Sequence, residues 1–452
     1  MLGTVGNIFK ISDLRNKILF TVGMLIIYRV GYHIQLPCID QSRLTAAVAA
    51  RDTEGAMGRA LEMMQMFSGA NLDDSSVFGM GIMPYITASI ILMLLGEVIP
   101  ALKKLRMEGQ TGYKKIQEYT RYLTVGVCLI QSVAVLKMFV GAYAYPGLET
   151  EAMILGIIAM TAGTIFLMWL GEQVDEYGIG NGISLIIMAG IIARMPWAIR
   201  QLAEDVDMSV TPQPGSIGLV KVLFLIGAFV SVVAGAILIT QGQRRIPIQQ
   251  AKQMRGHRMY GGARHYLPLR VNHGGVMPII FASSFMMFLP MIASQLEKIE
   301  SLRYSAFMNG VRGALGPGAY TYNFLYIVLI FLFTYFWVTV QFQPNEMAKN
   351  LRDSGSFIPG LRPGRRTAEY LERVMTRVTY FGAAFLALIA VVPSVVITLL
   401  GVNWQIASFL GGTGLLIVVS VSLDVVQKIE ANLLMRSYEG FSSSGRIKGA
   451  YA

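Results

Sequence analysis

Few residues in this chain have the type or spacing that chemistry needs. Its 452 residues include four histidines and two cysteines, Cys38 and Cys128. No Cys/His cluster has metal-ligand spacing, so neither a metal nor another cofactor is expected. Two cysteines are too few for a disulfide framework. Cys128 falls in an apolar run and Cys38 just past another, which reads as small packing residues. No phosphate loop of the form GxxxxGKS/T occurs. Gly178–Ser184 (GIGNGIS) is rich in glycine but follows no strand. It reads as a helix-start turn, with glycines at positive φ or in close packing. No nucleophile sits beside a base, and the chain is not expected to be an enzyme. Any energy-driven work must draw on a partner.

The elements that carry these residues belong to a membrane. Hydrophobic residues make up 54% of the chain and charged residues only 14%, against about 25% charged in soluble proteins. The apolar residues come in runs of about 20, enough to cross ~30 Å of hydrocarbon as a helix. The first run, near Ile18, is too long for a cleavable signal peptide. Ten spans are expected: Ile18–Leu36, Gly81–Leu95, Tyr119–Tyr143, Ala152–Leu170, Gly182–Met195, Leu219–Gln241, Gly274–Ala293, Tyr322–Gln341, Val378–Leu400 and Gln405–Val426. The second and fifth are short, and glycine-rich stretches before them would supply depth. The fold class is therefore all-α, a polytopic membrane protein of ten transmembrane helices. Arg29, Lys137, Arg194, Lys221, Arg377 and Asp424 lie near span ends, leaving the span centres uncharged. Intramembrane charges usually mark ion and proton pathways, so a proton-coupled carrier is disfavoured. A secondary transporter of small solutes that uses backbone carbonyls remains the alternative reading.

Charge sets the orientation. Segment 97–117 holds five Lys/Arg against two acids, segment 241–272 seven against none, and segment 343–377 seven against four. These segments fill alternating gaps, so they share one side, the cytoplasmic side. Both termini are then cytoplasmic. The acidic gap Glu172–Gly180 is placed inside by alternation alone. Two five-helix halves, 1–200 and 201–426, would have inverted orientation, although no sequence repeat relates them. Residues 427–452 form a cytoplasmic tail. The net charge of +11 is assigned first to topology.

One segment fits no ordinary span. Phe67–Gly81 (FSGANLDDSSVFGMG) carries Asp73 and Asp74 and runs into Pro84. It reads either as an extracytoplasmic loop or as a half-inserted segment that must line a cavity or be buried in protein.

Several stretches resemble the SecY family of protein-translocation channels: DLRNKILFTVGMLIIYRVG (13–31), Phe67-Ser68-Gly69 with GIMPYITASIILMLL (81–95), WLGEQVDEYGIGNGISLII (169–187) and RRIPIQQAKQ (244–253). So do GGVMPIIFASS (274–284), QPNEMAKNLRDSGSFIPGLRPGRRTAEYL (343–371) and FLGGTGLLIVVSVSLD (409–424). The matches run in the family's order along nearly the whole chain.

The resemblance implies two halves closing as a clamshell around a pore that passes unfolded preproteins and releases apolar segments sideways into lipid. It puts an apolar ring at Ile82, Ile86, Ile187, Ile191, Ile280 and Ile417. Four of these are i,i+4 pairs that share a helix face. It makes 67–78 a plug, with Phe67, Ser68, Gly69, Asp73, Asp74 and Phe78; the two aspartates also read as solvating residues. It places Thr87, Ser89, Ser283 and Ser284 on gate helices, where small hydroxyl residues favour close approach and interhelical bonds. It assigns partner binding to Arg244, Arg245, Lys252, Arg255, Arg258, Arg362, Arg365 and Arg366, each of which also reads as a topology or headgroup charge. The implied partners are SecE, SecG, the SecA motor ATPase, the ribosome, signal peptides, preproteins and membrane lipids. The implied location is a bacterial plasma membrane, with a thylakoid membrane the other option.

Overall fold

The computed structural model describes residues 11–44, 76–207, 217–250, 253–255, 258–260, 264–296, 319–400 and 412–444. The helices are α1 (Ser12–Gly31), α2 (Met83–Val98), α3 (Pro100–Met107), α4 (Gln110–Tyr143), α5 (Glu149–Tyr177) and α6 (Gly182–Asp205). They continue with α7 (Leu219–Gln241), α8 (Met277–Leu296), α9 (Tyr320–Gln341), α10 (Pro344–Asp353), α11 (Arg365–Leu400) and α12 (Thr413–Ser444). Nine of the ten expected spans fall mainly on helices, and the sixth has the same bounds as α7; of the tenth, Gln405–Val426, residues 405–411 lie outside the described residues and the rest falls on α12. Among the described residues, six helices are long and apolar enough to cross a membrane, or seven if α2 and α3 count as one bent span. Charge keeps α1 from passing that test: Asp13, Arg15, Lys17 and Arg29 lie along it.

The chain forms two compact units, Met1–Trp197 with Val421–Ala452, and Ala198–Ser420. In the first, α4 packs on both α2 and α5. Leu36, Ile39, Leu44, Met80, Cys128, Leu136 and Met160 share one buried cluster there. Arg121 on α4 reaches Glu172 on α5 at 2.8 Å. α2 ends at Ile99, whose extended backbone and the following Pro100 start a new helix bent by 104°. Proline suits a first turn, where its missing N–H has no helical partner. The GIGNGIS stretch is a helix-start turn. Gly180 has φ +107°, the Asp175 carboxylate accepts from Gly182 N at 2.7 Å, and Asn181 Oδ1 accepts from Ser184 N at 3.0 Å.

In the second unit, α9 packs on α11 and α8 on α9. Here the basic segments are more ordered than a loop reading implies. β3 (Gln243–Gln250) and β6 (Arg264–Arg270) form an antiparallel hairpin, with Ile246 opposite Leu267 and Arg244 opposite Leu269. Ser356–Phe357 (β7) joins the other edge of β3 at Gln249 and Gln250. Both basic segments therefore meet in one three-stranded sheet, ordered β6-β3-β7. Pro247, which has no N–H, sits where β3 has only one neighbour, as strand prolines must. Between the hairpin strands, Gln253–Arg255 (β4) pairs with Arg258–Tyr260 (β5). Val206–Asp207 (β1) and Ile217–Gly218 (β2) make a short parallel pair. Segment 343–377, read from sequence as a loop, contains α10 and the first turns of α11. The tail from residue 427 continues α12 as far as Ser444.

Candidate functional site

All six isoleucines expected in the ring are buried, and the most exposed, Ile86, keeps 4% of its surface. Ile82 caps the N-terminus of α2, and Ile86 N donates to Ile82 O at 3.2 Å. Ile187 and Ile191 stand one turn apart on α6, with Ile280 on α8 and Ile417 on α12. The first four belong to the first unit and the last two to the second.

The hydroxyls assigned to the gate find partners on their own helices. Thr87 donates to Met83 O at 3.0 Å. Ser283 and Ser284 both donate to Ile280 O, at 3.0 and 2.7 Å. The Ser89 hydroxyl pairs with Tyr85. Each hydroxyl is thus satisfied within its own helix, and burying a satisfied donor costs little. The expected interhelical bonds are not where those donors go.

Of the plug residues, Phe67, Ser68, Gly69, Asp73 and Asp74 lie outside the described residues, and Phe78 lies within them. The Phe78 ring meets Tyr32 edge-on at 5.6 Å and stacks on Phe166 at 5.9 Å.

The cationic residues sit on a built surface. Ile246 and Leu269 lie under the sheet in one buried cluster with Val338, Phe342, Ile358, Leu371, Val374 and Met375. Arg244 and Arg245 are exposed on β3, and Arg264 and Arg270 on β6. Arg255 and Arg258 are backbone partners in the β4–β5 register; Lys252 lies outside the described residues. Arg362 stands exposed on a turn held at both ends, since Gly360 and Gly364 have φ +83° and +123°. Thr367 Oγ1 donates to Arg362 O at 3.0 Å, and Leu361 N to Ile358 O at 3.0 Å. The GLRPG motif thus fixes the backbone and leaves the guanidinium outside. Arg365 pairs with Glu369 at 3.0 Å, with 91% of its side chain exposed, so the pair is worth little; Arg366 is exposed. A cavity of about 370 Å³ beside the hairpin is lined by Leu267, Leu269, His273, Phe342, Glu346 and Met347. Burial, and then the nearby Arg270 charge, hold the His273 imidazole below its usual pKa.

Sequence reasoning missed this sheet. A signal was present in Ile-Pro-Ile (246–248) and Leu-Pro-Leu (267–269), two period-2 patterns, but a proline inside each argues against a strand. Among the described residues, no group of three or more metal-ligating side chains occurs.

A SecY family model matches residues 76–426. The chain is 42% identical over 450 residues to the protein translocase subunit SecY of Thermotoga maritima, covering 98% of each. Two solved structures share its fold, each covering 92% of both chains. One, at 19% identity and a TM-score of 0.61, is described as a SecY whose plug domain stabilises the closed state of the translocation channel and maintains a membrane seal. The other, at 20% identity and a TM-score of 0.59, is Sec61 in the canine ribosome-channel complex from the endoplasmic reticulum.

Proposed function

The chain belongs to the SecY family, and on that premise we propose that it is the protein-conducting channel of a Sec translocase. It moves unfolded preproteins across a membrane and releases apolar segments sideways into lipid. The near full-length likeness to a translocase subunit carries this reading.

The physics of the residues fits the task. A pore that admits many sequences cannot rely on a specific ligand. An apolar constriction excludes water when narrow and yields to a chain. Ile82, Ile86, Ile187, Ile191, Ile280 and Ile417 supply it, with residues 67–78 as the plug. Thr87, Ser89, Ser283 and Ser284 keep the gate helices slender, so that close approach needs no strong bond to be broken. The halves are 1–200 and 201–426.

The cationic sheet and the Arg362 turn are the docking surface for the ribosome, through phosphate attraction, and for SecA. SecE and SecG complete the membrane complex. The channel subunit has no catalysis of its own; SecA, translation or the proton-motive force supplies the work. It sits in a bacterial plasma membrane with both termini cytoplasmic.

The test is single-channel conductance after reconstitution with SecE. The intact chain is compared with one lacking Phe67–Ser75, which keeps the packed Ser76–Phe78. The intact channel should rest closed and the deletion should open often. An intact channel that conducts steadily, or a folded deletion that stays silent, contradicts the reading.

A further inference from the structure

Ser76–Ile82 is held from several directions within the first unit. Val77 N donates to Ile34 O at 2.9 Å, and Ser76 bridges Gln35 in antiparallel fashion. Val77 and Met80 pack into the cluster of Leu36, Ile39, Leu136 and Met160. The Phe78 ring fills a notch that exists because two helices carry glycine there. A Cβ on Gly31 of α1 would overlap the ring, and a Cβ on Gly163 of α5 would lie 2.5 Å from Val77 O and 3.0 Å from Phe78 Cδ1. The segment then turns tightly, with Gly79 N donating to Ser76 O at 2.9 Å and Gly81 N to Phe78 O at 2.7 Å. Gly81, at φ +54°, lets the chain pass directly into Ile82 and α2. Only three residues separate Phe78 from Ile82, itself 1% exposed.

We infer that Ser76–Ile82 is a fixed anchor of the channel wall, and that Phe78 is a positioning residue holding Ile82 and Ile86 in place, not part of a moving plug. The inference rests on the channel reading above and narrows it: whatever leaves the pore when it opens ends before Ser76. A segment with backbone pairing to the stretch that follows α1, side chains in a core and a ring in a two-glycine notch has no free face to move by.

The test uses the full chain reconstituted with its small subunits. Cys38 is replaced by Asn, which tolerates the positive φ of that position, and Cys128 by Ala. Gln35→Cys and Ser76→Cys are then added; bridged antiparallel neighbours lie within disulfide reach. Protease-protected preprotein is measured with this disulfide formed and reduced. The anchor predicts the same translocation in both states, and a block that reductant relieves would overturn it. Separately, Ile82→Cys is labelled with a maleimide with and without Phe78→Ala. Labelling should rise by about tenfold, equivalent to ~1.4 kcal/mol, and Phe78→Leu should restore protection. Unchanged labelling in a well-folded Phe78→Ala protein would overturn the positioning role. Labelling needs no channel activity, so it stands even if no redox state moves preprotein, an outcome that would instead strike the channel reading.

Discussion

Replacing Ile246 by Ala tests whether the two basic segments are one structure. Ile246 is 1% exposed and shares its cluster with Leu269 of β6, Ile358 just past β7, and Leu371 and Met375 of α11. Truncating a buried isoleucine to alanine costs about 2–5 kcal/mol, part lost transfer energy and part cavity. Near the low end, ~2.8 kcal/mol corresponds to about a hundredfold rise in the open population of the sheet. β3 is the middle strand, so its loosening frees both neighbours. Amide hydrogen exchange should therefore accelerate by about that factor in 243–250 and 264–270, and equally at 356–357, which lies over 100 residues away in sequence. Exchange in α7 should stay as it was. Faster exchange in the hairpin with unaltered protection at Ser356 and Phe357 would refute the idea that one core supports both segments.

Three further outcomes follow from the same geometry. Gly31→Ala should displace the Phe78 ring and raise resting conductance in reconstituted bilayers, whereas Gly23→Ala on the same helix, where an added Cβ meets nothing within 4 Å, should leave it unchanged. His273 has a pKa below its usual value, so on acidification the unfolded chain takes up the proton first. The sheet should lose stability as pH falls below about 6.5, down to the depressed folded value. His273→Gln should flatten that dependence in thermal melts. Arg362→Ala should weaken ribosome binding and lower its salt slope by about one. The turn should survive, because Thr367 bonds the Arg362 carbonyl and not its side chain.

Hydropathy made the membrane helices legible because the solvent change at the bilayer acts on every residue of a run. It says nothing of where a helix continues into water. Accordingly α11 begins at Arg365, well before the expected Val378, and α2 breaks at Ile99 into an amphipathic turn that composition alone did not separate. The cationic sheet was hidden for a different reason. Its pairing joins Gln249 and Gln250 to residues beyond 350, and such contacts leave no local period. Both hairpin strands also carry a proline that masks their alternation. Phe78 illustrates the remaining limit. Its neighbours in sequence suggest a polar, movable segment, and only the glycines at 31 and 163, distant in the chain, reveal that it is clamped. The ring assignment rests on family resemblance alone, since neither spacing nor burial separates these isoleucines from other buried ones.

The most direct test of the central claim is translocation itself. The purified chain, reconstituted with SecE and SecG in vesicles containing anionic lipid, is given SecA, ATP and an unfolded preprotein bearing a signal peptide. The account predicts that preprotein becomes protected from external protease, and that vesicles lacking this chain show no protection. Preprotein that stays fully digestible, with the complex intact and SecA bound, would contradict it.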